Sequence, residues 1–264
     1  ISGVEGETVS YSYDIRDVEM ALIERVGEDD RIITVPRPIL ARAAQKPDQW
    51  YFIPETELQF RVLQYFQNSS MGQTNKDNPA TAGIGTSIQA ESAALASGVS
   101  QGDTNVASAY VQFRNKSEQD LGTFLITQAY EFYSGPIFKT PNVIRNGDQT
   151  FVAVMWFKRE YKPYTITIND VQAKNYPGTM TPQWYATEFT MEDPETNFSA
   201  DQRVWMNNPL RYRNETFYQS GYNKDRMTGV ETTTLQVVLN RGWMIPYLCC
   251  AMVTIGLIAQ FLPV

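Results

Sequence analysis

The segment from Trp243 to Phe261 contains no charged residue. At ~1.5 Å per residue, a helix of that length approaches the ~30 Å hydrocarbon core of a bilayer. Trp243 and Tyr247 stand at its entrance, where amphipathic rings favour the membrane–water boundary, and Arg241 lies just outside. Pro246 falls in the first turn, where a missing N–H costs nothing. A buried core helix is the alternative, but such helices are usually shorter, and this run follows a polar, alternating region. The expectation is therefore a transmembrane helix over 242–264 carrying a body formed by 1–241.

Composition narrows what that body can do. The net charge of −7 argues against nucleic acid and against lying flat on anionic lipid, since both need basic surface. No histidine occurs anywhere in the 264 residues. Ser-His-Asp or Cys-His catalysis, His-ligated zinc and His-ligated haem are thus outside the reach of this chain alone. The two cysteines, Cys249 and Cys250, are neighbours inside the apolar run. On a helix they point ~100° apart and cannot readily bridge each other or share one metal. They read as small packing residues, and they leave the redox compartment open. Ile1 is not an initiator methionine, so both ends are expected to continue into segments beyond this sequence.

Along the chain the dominant period is two. Val18, Leu22 and Val26 recur at a helical interval between Asp17, a candidate N-cap, and Gly27, a candidate stop. A second short helix is expected at 38–45, with Pro38 in its first turn. From Trp50 onward the pattern changes: Leu58, Phe60 and Val62 alternate with Gln59 and Arg61, as in a half-buried strand. The stretch 68–104 is rich in Ser, Ala, Gly, Asn, Thr and Gln and has no aromatic residue. It reads as a flexible insertion, with at most a helical turn or two near Ala90–Leu95. Strand-like runs follow at 109–113, 123–132, 151–157, 164–168 and 235–239; the 151–157 run is apolar on both faces, as in a covered strand. Asn146-Gly147 is a hairpin signal, and Tyr176-Pro-Gly-Thr179 reads as a turn with glycine third. The fold class expected is mainly β, an antiparallel sandwich-like body with short helices.

Few constellations carry chemistry. Glu28-Asp-Asp30 reads as a solvated acidic loop, because ligand spacing and glycine are wrong for a calcium loop. Asn75 and Asp77 are spaced like the first ligands of such a loop, but Pro79 takes the next ligand position. Asn68, Asn115, Asn197 and Asn214 begin N-x-S/T triplets, which matter only in a glycosylating host. There is no phosphate loop, and neither a nucleophile–base pair nor a metal site can be named. The chain is expected to be non-catalytic on its own. The most specific stretch is 203–222, in which Asn208-Pro209 marks a turn before an aromatic hairpin of Tyr212, Phe217 and Tyr218 that carries Arg211 and Arg213. Exposed arginines on a strand pair would account for it. A binding face would too, since arginines hold carboxylates bidentately and aromatics stack on flat ligands.

That stretch carries a resemblance. Asn-Pro-Leu-Arg-Tyr212, then Thr-Phe-Tyr-Gln-Ser220, a strand ending Leu-Gln-Val-Val238, Gly242-Trp243 and the apolar helix resemble the C-terminal part of the ResB family, also called CcsB. Tyr176-Pro-Gly-Thr-x-x-Pro182 is similar to that family, and 54–66 more loosely so. The resemblance covers roughly 50–66 and 150–262. It implies a subunit of a system II cytochrome c synthase, in which a β-rich extracytoplasmic domain precedes a last membrane helix in a bacterial cytoplasmic or thylakoid membrane. The partners implied are a ResC/CcsA-type membrane protein, apocytochrome c and a thioredoxin-like reductase. Haem would be handled by the complex, with none bound by this chain alone.

One departure stands out: the family's Asn-His-Pro-Leu variant is Asn207-Asn208-Pro209-Leu210 here. A ResB-like accessory subunit of a larger electron-transfer complex therefore remains the alternative. The partner-contact residues expected are Arg211, Tyr212, Arg213, Phe217, Tyr218 and Gln219. Within the apolar helix, the small residues Cys249, Gly256 and Ala259 would let a neighbouring helix approach.

Overall fold

The structure is a computed structural model, and it describes all residues except 28, 97–103, 134–137, 139, 180–181, 225–228, 240–241, 243 and 262–264. Trp243 and Arg241, expected at the mouth of the apolar helix, lie outside the described residues. In chain order the strands are β1 (Ser2–Val4), β2 (Thr8–Val26), β3 (Asp29–Pro36), β4 (Tyr51–Phe52), β5 (Leu58–Phe66), β6 (Ser69–Gln73), β7 (Ile88–Ser92) and β8 (Ser108–Asn115). They continue as β9 (Asp120–Thr127), β10 (Asn142–Asn146), β11 (Gln149–Asn175), β12 (Pro182–Asp193), β13 (Phe198–Trp205), β14 (Leu210–Tyr212), β15 (Glu215–Lys224) and β16 (Glu231–Leu239). Among the described residues three α-helices join them, α1 (Arg37–Ala44), α2 (Ala129–Phe132) and α3 (Ile245–Phe261), together with a 3-10 turn at Gly83–Thr86. Every strand pair whose register is recorded is antiparallel. The chain divides into two compact units, Asp14–Lys158 and Ile1–Tyr13 with Arg159–Val264.

In the 14–158 unit, β4, β5, β8 and β9 form one sheet in that order. Its strands alternate between two clusters. Ala109, Val111, Phe113, Phe124 and Ile126 join a large core with Met20, Leu22, Phe60 and Phe151, while Tyr110 and Leu125 face the opposite way. That second face is covered by Ile84, Ala90 and their neighbours in the stretch the sequence reads as a flexible insertion, of which 97–103 lie outside the described residues. Here the outcome differs: β6 and β7 pair in a hairpin, and Ile84 and Ala90 pack against Tyr110 and Leu125. The segment needs no aromatic residue of its own, because the sheet supplies the rings. Tyr110 fixes it by accepting the N–H of Ala90 at 3.0 Å.

A second correction concerns 18–26, which belongs to β2 and not to a helix. A spacing of four satisfies both a 3.6-residue and a two-residue period. Met20 decides between them, since it is fully buried between Val18 and Leu22 in the same core. The expected helix at 38–45 is present as α1, and the run at 123–132 ends as a strand at Thr127 before the short α2.

In the other unit, β1, β16, β15 and β14 form a sheet, and β12 pairs with both β13 and the later part of β11. Phe217 and Leu235 of the first sheet share one cluster with Tyr164, Ile166, Phe189, Met191 and Val204 of the second. The two sheets therefore face each other across a common core. The two turn signals are borne out: Asn146 pairs with Gln149 around Gly147, and Thr179 N–H donates to Tyr176 C=O at 3.1 Å with Gly178 at φ +74°.

The C-terminal expectation fares differently. Among the described residues no helix is long and apolar enough to cross a membrane. α3 is 17 residues long, about 26 Å at the usual rise. All of its residues are exposed, including Met252, Val253, Ile255, Leu257, Ile258 and Phe261.

Candidate functional site

The stretch 203–222 folds as a chain of tight turns. β13 ends in a reversal closed by Asn208 N–H donating to Trp205 C=O at 3.0 Å, with Asn207 at φ +62°. β14 and β15 then pair through Tyr212 and Glu215, so only Arg213 and Asn214 make the connection. Both have positive φ, +48° and +64°, as a two-residue hairpin with matching twist demands. Asparagine tolerates that region well, but arginine rarely occupies it.

Arg213 is held there by ion pairs. Its Nε lies 2.6 Å from Asp193 Oδ2 as an ion pair, while its Nη2 donates to Asp193 Oδ1 at 3.0 Å and its Nη1 to Glu195 Oε2 at 2.8 Å. The Asp193 carboxylate also accepts the Tyr212 hydroxyl at 2.6 Å and the N–H of Glu195 at 3.0 Å. Its side chain is fully shielded from solvent. Burial alone would raise its pKa, but the Tyr212 hydroxyl, the Arg213 charge and the backbone donors outweigh it and hold the carboxyl below its ordinary value. Glu195, Tyr212 and Asp193 likewise raise Arg213 above the usual guanidinium value.

A second polar knot lies on the other side of the turn. Glu215 accepts the Tyr164 hydroxyl at 2.5 Å and Lys162 Nζ at 2.7 Å, and Lys162 also reaches Glu160 at 3.1 Å. Burial, followed by Glu215, pushes the Tyr164 phenol far up and keeps it a donor. Burial would lower Lys162, but its two carboxylates more than compensate and raise it. The Tyr212 ring is stacked on Phe198 with centroids 5.0 Å apart and meets Tyr164 edge-on at 5.8 Å.

The six residues expected on a contact face separate accordingly. Arg211 and Tyr218 are exposed and line a cavity of ≈ 230 Å³ with Asn214 and Thr216. Arg211 has no hydrogen bond or ion pair among the described residues. Tyr212 and Arg213 line the same cavity but are tied to Asp193.

Phe217 and Gln219 do not belong to a surface. Phe217 is fully buried in the core, and Gln219 accepts the Thr187 hydroxyl at 2.7 Å and donates to Thr233 at 2.9 Å. Strand alternation explains the correction: Phe217 pairs with Leu210 and Val237 on the inner face, and Gln219 follows it by two. Asp193, Glu195, Lys162, Tyr164 and Glu215 were not singled out by sequence, and no local motif marks them.

On α3, Cys249, Gly256 and Ala259 are exposed, and a Cβ built on Gly256 would meet nothing within 4 Å. Cys249 and Gly256, seven apart, share one side of the helix. Among the described residues no group of three or more Cys, Asp or Glu side chains is arranged to hold a metal ion.

Comparison with known proteins bears on the same region. Residues 121–232 match the sequence profile described as the ResB-like family. Protein NrfI of Wolinella succinogenes is 27% identical over 100 residues, which cover 38% of this chain and 11% of NrfI. The chain thus spans only about a ninth of the length of that relative. The profile match takes in the Tyr176 turn, the Asp193 clamp and the 203–222 hairpin; it leaves out 54–66 and everything after 232. Residues 121–232 are thus similar to the ResB-like family over the same turn and hairpin motifs that carry the resemblance in the sequence.

Proposed function

We propose that this chain serves cytochrome c maturation as a non-catalytic ResB-like subunit. Its hairpin face would meet a ResC/CcsA-type membrane partner and help present apocytochrome c and haem to each other. The observation that carries the reading is the pairing of a fixed turn with a free cation. Arg213 is tied to Asp193 and Glu195, and beside it Arg211 and Tyr218 remain exposed and unpaired on a ResB-like segment. A free cation next to an aromatic ring can recognise a carboxylate or an aromatic group, and the fixed turn beside it keeps the backbone ordering cost small. We further propose that α3, apolar around its whole circumference, anchors the chain together with its flanking residues to a membrane, leaving the β-rich units on the extracytoplasmic side. A thioredoxin-like reductase fits the same scheme, because thioether formation requires reduced cysteines on the apocytochrome.

The full-length assembly, affinity-purified and examined by pyridine haemochrome assay and mass spectrometry, tests this reading. It predicts stoichiometric haem co-purifying with a ResC/CcsA-type partner. A haem-free preparation dominated by subunits of an electron-transfer complex would contradict it and favour an accessory subunit, a use consistent with the absence of histidine in this sequence.

A further inference from the structure

Away from the hairpin, the 14–158 unit contains a cavity of ≈ 360 Å³, within the usual range for small-molecule sites. One wall is apolar, with Val18, Ala107 and Phe157. The opposite chemistry comes from Arg37, Tyr65 and Arg16. Arg37 opens α1, and its Nε donates to Asp17 Oδ1 at 2.7 Å. Asp17 is itself fixed by the N–H of Val18 at 3.1 Å. This arrangement occupies one edge of the guanidinium, and among the described residues Nη1 and Nη2 have no hydrogen-bond partner.

The Tyr65 hydroxyl is fully buried and has no hydrogen-bond partner among the described residues. A buried, unmatched hydroxyl is unfavourable and calls for an explanation. Burial raises its pKa, and the net shift remains upward beside Arg37 and Asp17, so the phenol stays a protonated donor. Arg16, exposed at the rim, has no ion-pair partner among the described residues.

We propose that this cavity binds a small organic carboxylate with an apolar body, whose oxygens take the two free nitrogens of Arg37 and the Tyr65 hydroxyl. The apolar part would lie against Phe157 and Val18, with Arg16 adding positive charge at the entrance. A fork of two parallel N–H donors matches a carboxylate, and the phenol satisfies a lone pair that Arg37 leaves over. This site is independent of the hairpin reading and of any membrane partner.

Isothermal titration of the full chain in lipid nanodiscs with 3-phenylpropionate tests the proposal, using empty nanodiscs as blank and 3-phenylpropionamide as the neutral isostere. The expected result is saturable one-site binding of the carboxylate, with the amide weaker by about tenfold or more. Arg37→Gln should weaken the carboxylate by a similar factor, and Tyr65→Phe by about fivefold, in keeping with one lost hydrogen bond. Absence of saturable heat, equal binding of amide and acid, or unchanged affinity in Tyr65→Phe would each overturn the assignment. Should Arg37→Gln fail to fold, the amide comparison and Tyr65→Phe still decide it.

Discussion

Arg213 Nε lies 2.6 Å from Asp193 Oδ2, and this contact joins the two-residue turn of the β14–β15 hairpin to the end of β12. The carboxylate is shielded and its pKa is depressed, so its contribution to stability has a definite pH window. A depressed folded pKa means stability that is present above the unfolded value, near 3.8, and is lost as pH falls through the lower folded value. Thermal unfolding from pH 7 down to pH 2 should therefore show an acid limb beginning below about pH 4. In Asp193→Asn that limb should flatten and the midpoint at pH 7 should fall. An acid limb of unchanged steepness in the variant would assign the proton uptake elsewhere.

Phe217 and Tyr218 are sequence neighbours with opposite roles. Phe217→Ala removes a fully buried ring that meets Tyr164 edge-on at 5.8 Å, and should cost about 3–5 kcal/mol in urea unfolding. Tyr218, 42% exposed, should cost less than about 1 kcal/mol when changed to Ala. Similar losses for the two would mean that the inner and outer faces of β15 are misassigned.

Gly83 holds the turn that precedes β7. Its φ is +68°, and a Cβ there would clash with Asn142 Oδ1. Asn142 is itself committed, accepting the N–H of Ile84 at 3.1 Å and donating to Leu125 C=O at 2.8 Å. Gly83→Ala combines backbone strain with a clash against a fixed side chain, and should destabilise by at least about 2 kcal/mol. Denaturant unfolding with an unchanged midpoint would contradict the fixed position of Asn142.

On α3, Gly256→Leu should lower the yield of a co-purifying membrane subunit. Leucine is the better helix former by about 0.8 kcal/mol, so helix unfolding would not explain such a loss. Equal recovery in detergent would remove that side of α3 from any interface.

Much of the fold is legible in the residues, for reasons the structure makes plain. The 164–168 part of β11 buries alternate residues, β5 sends Leu58, Phe60 and Val62 to one core, and Asn146-Gly147 encodes its turn locally. Two of the N-x-S/T asparagines, Asn197 and Asn214, occupy turns at φ +50° and +64°, where asparagine is favoured. Other features depend on what lies across the fold. Val18 and Leu22 fit either period until Met20 is seen buried between them. The β6–β7 hairpin owes its apolar cover to Tyr110, outside its own sequence. Nothing near Asp193 announces its pairing with Arg213, twenty residues away, because only the register of the sheets brings them together. The same register turned Phe217 and Gln219 inward, away from the surface expected for them.

The central claim is that the exposed side of this hairpin is a working contact surface in cytochrome c maturation. The most direct test is the yield of holocytochrome c in cells carrying Arg211→Ala with Tyr218→Ala, two side chains unpaired among the described residues and separate from the Asp193 clamp. The account predicts a clear drop in holocytochrome c while the variant accumulates to wild-type level. An undiminished yield at equal accumulation would contradict it.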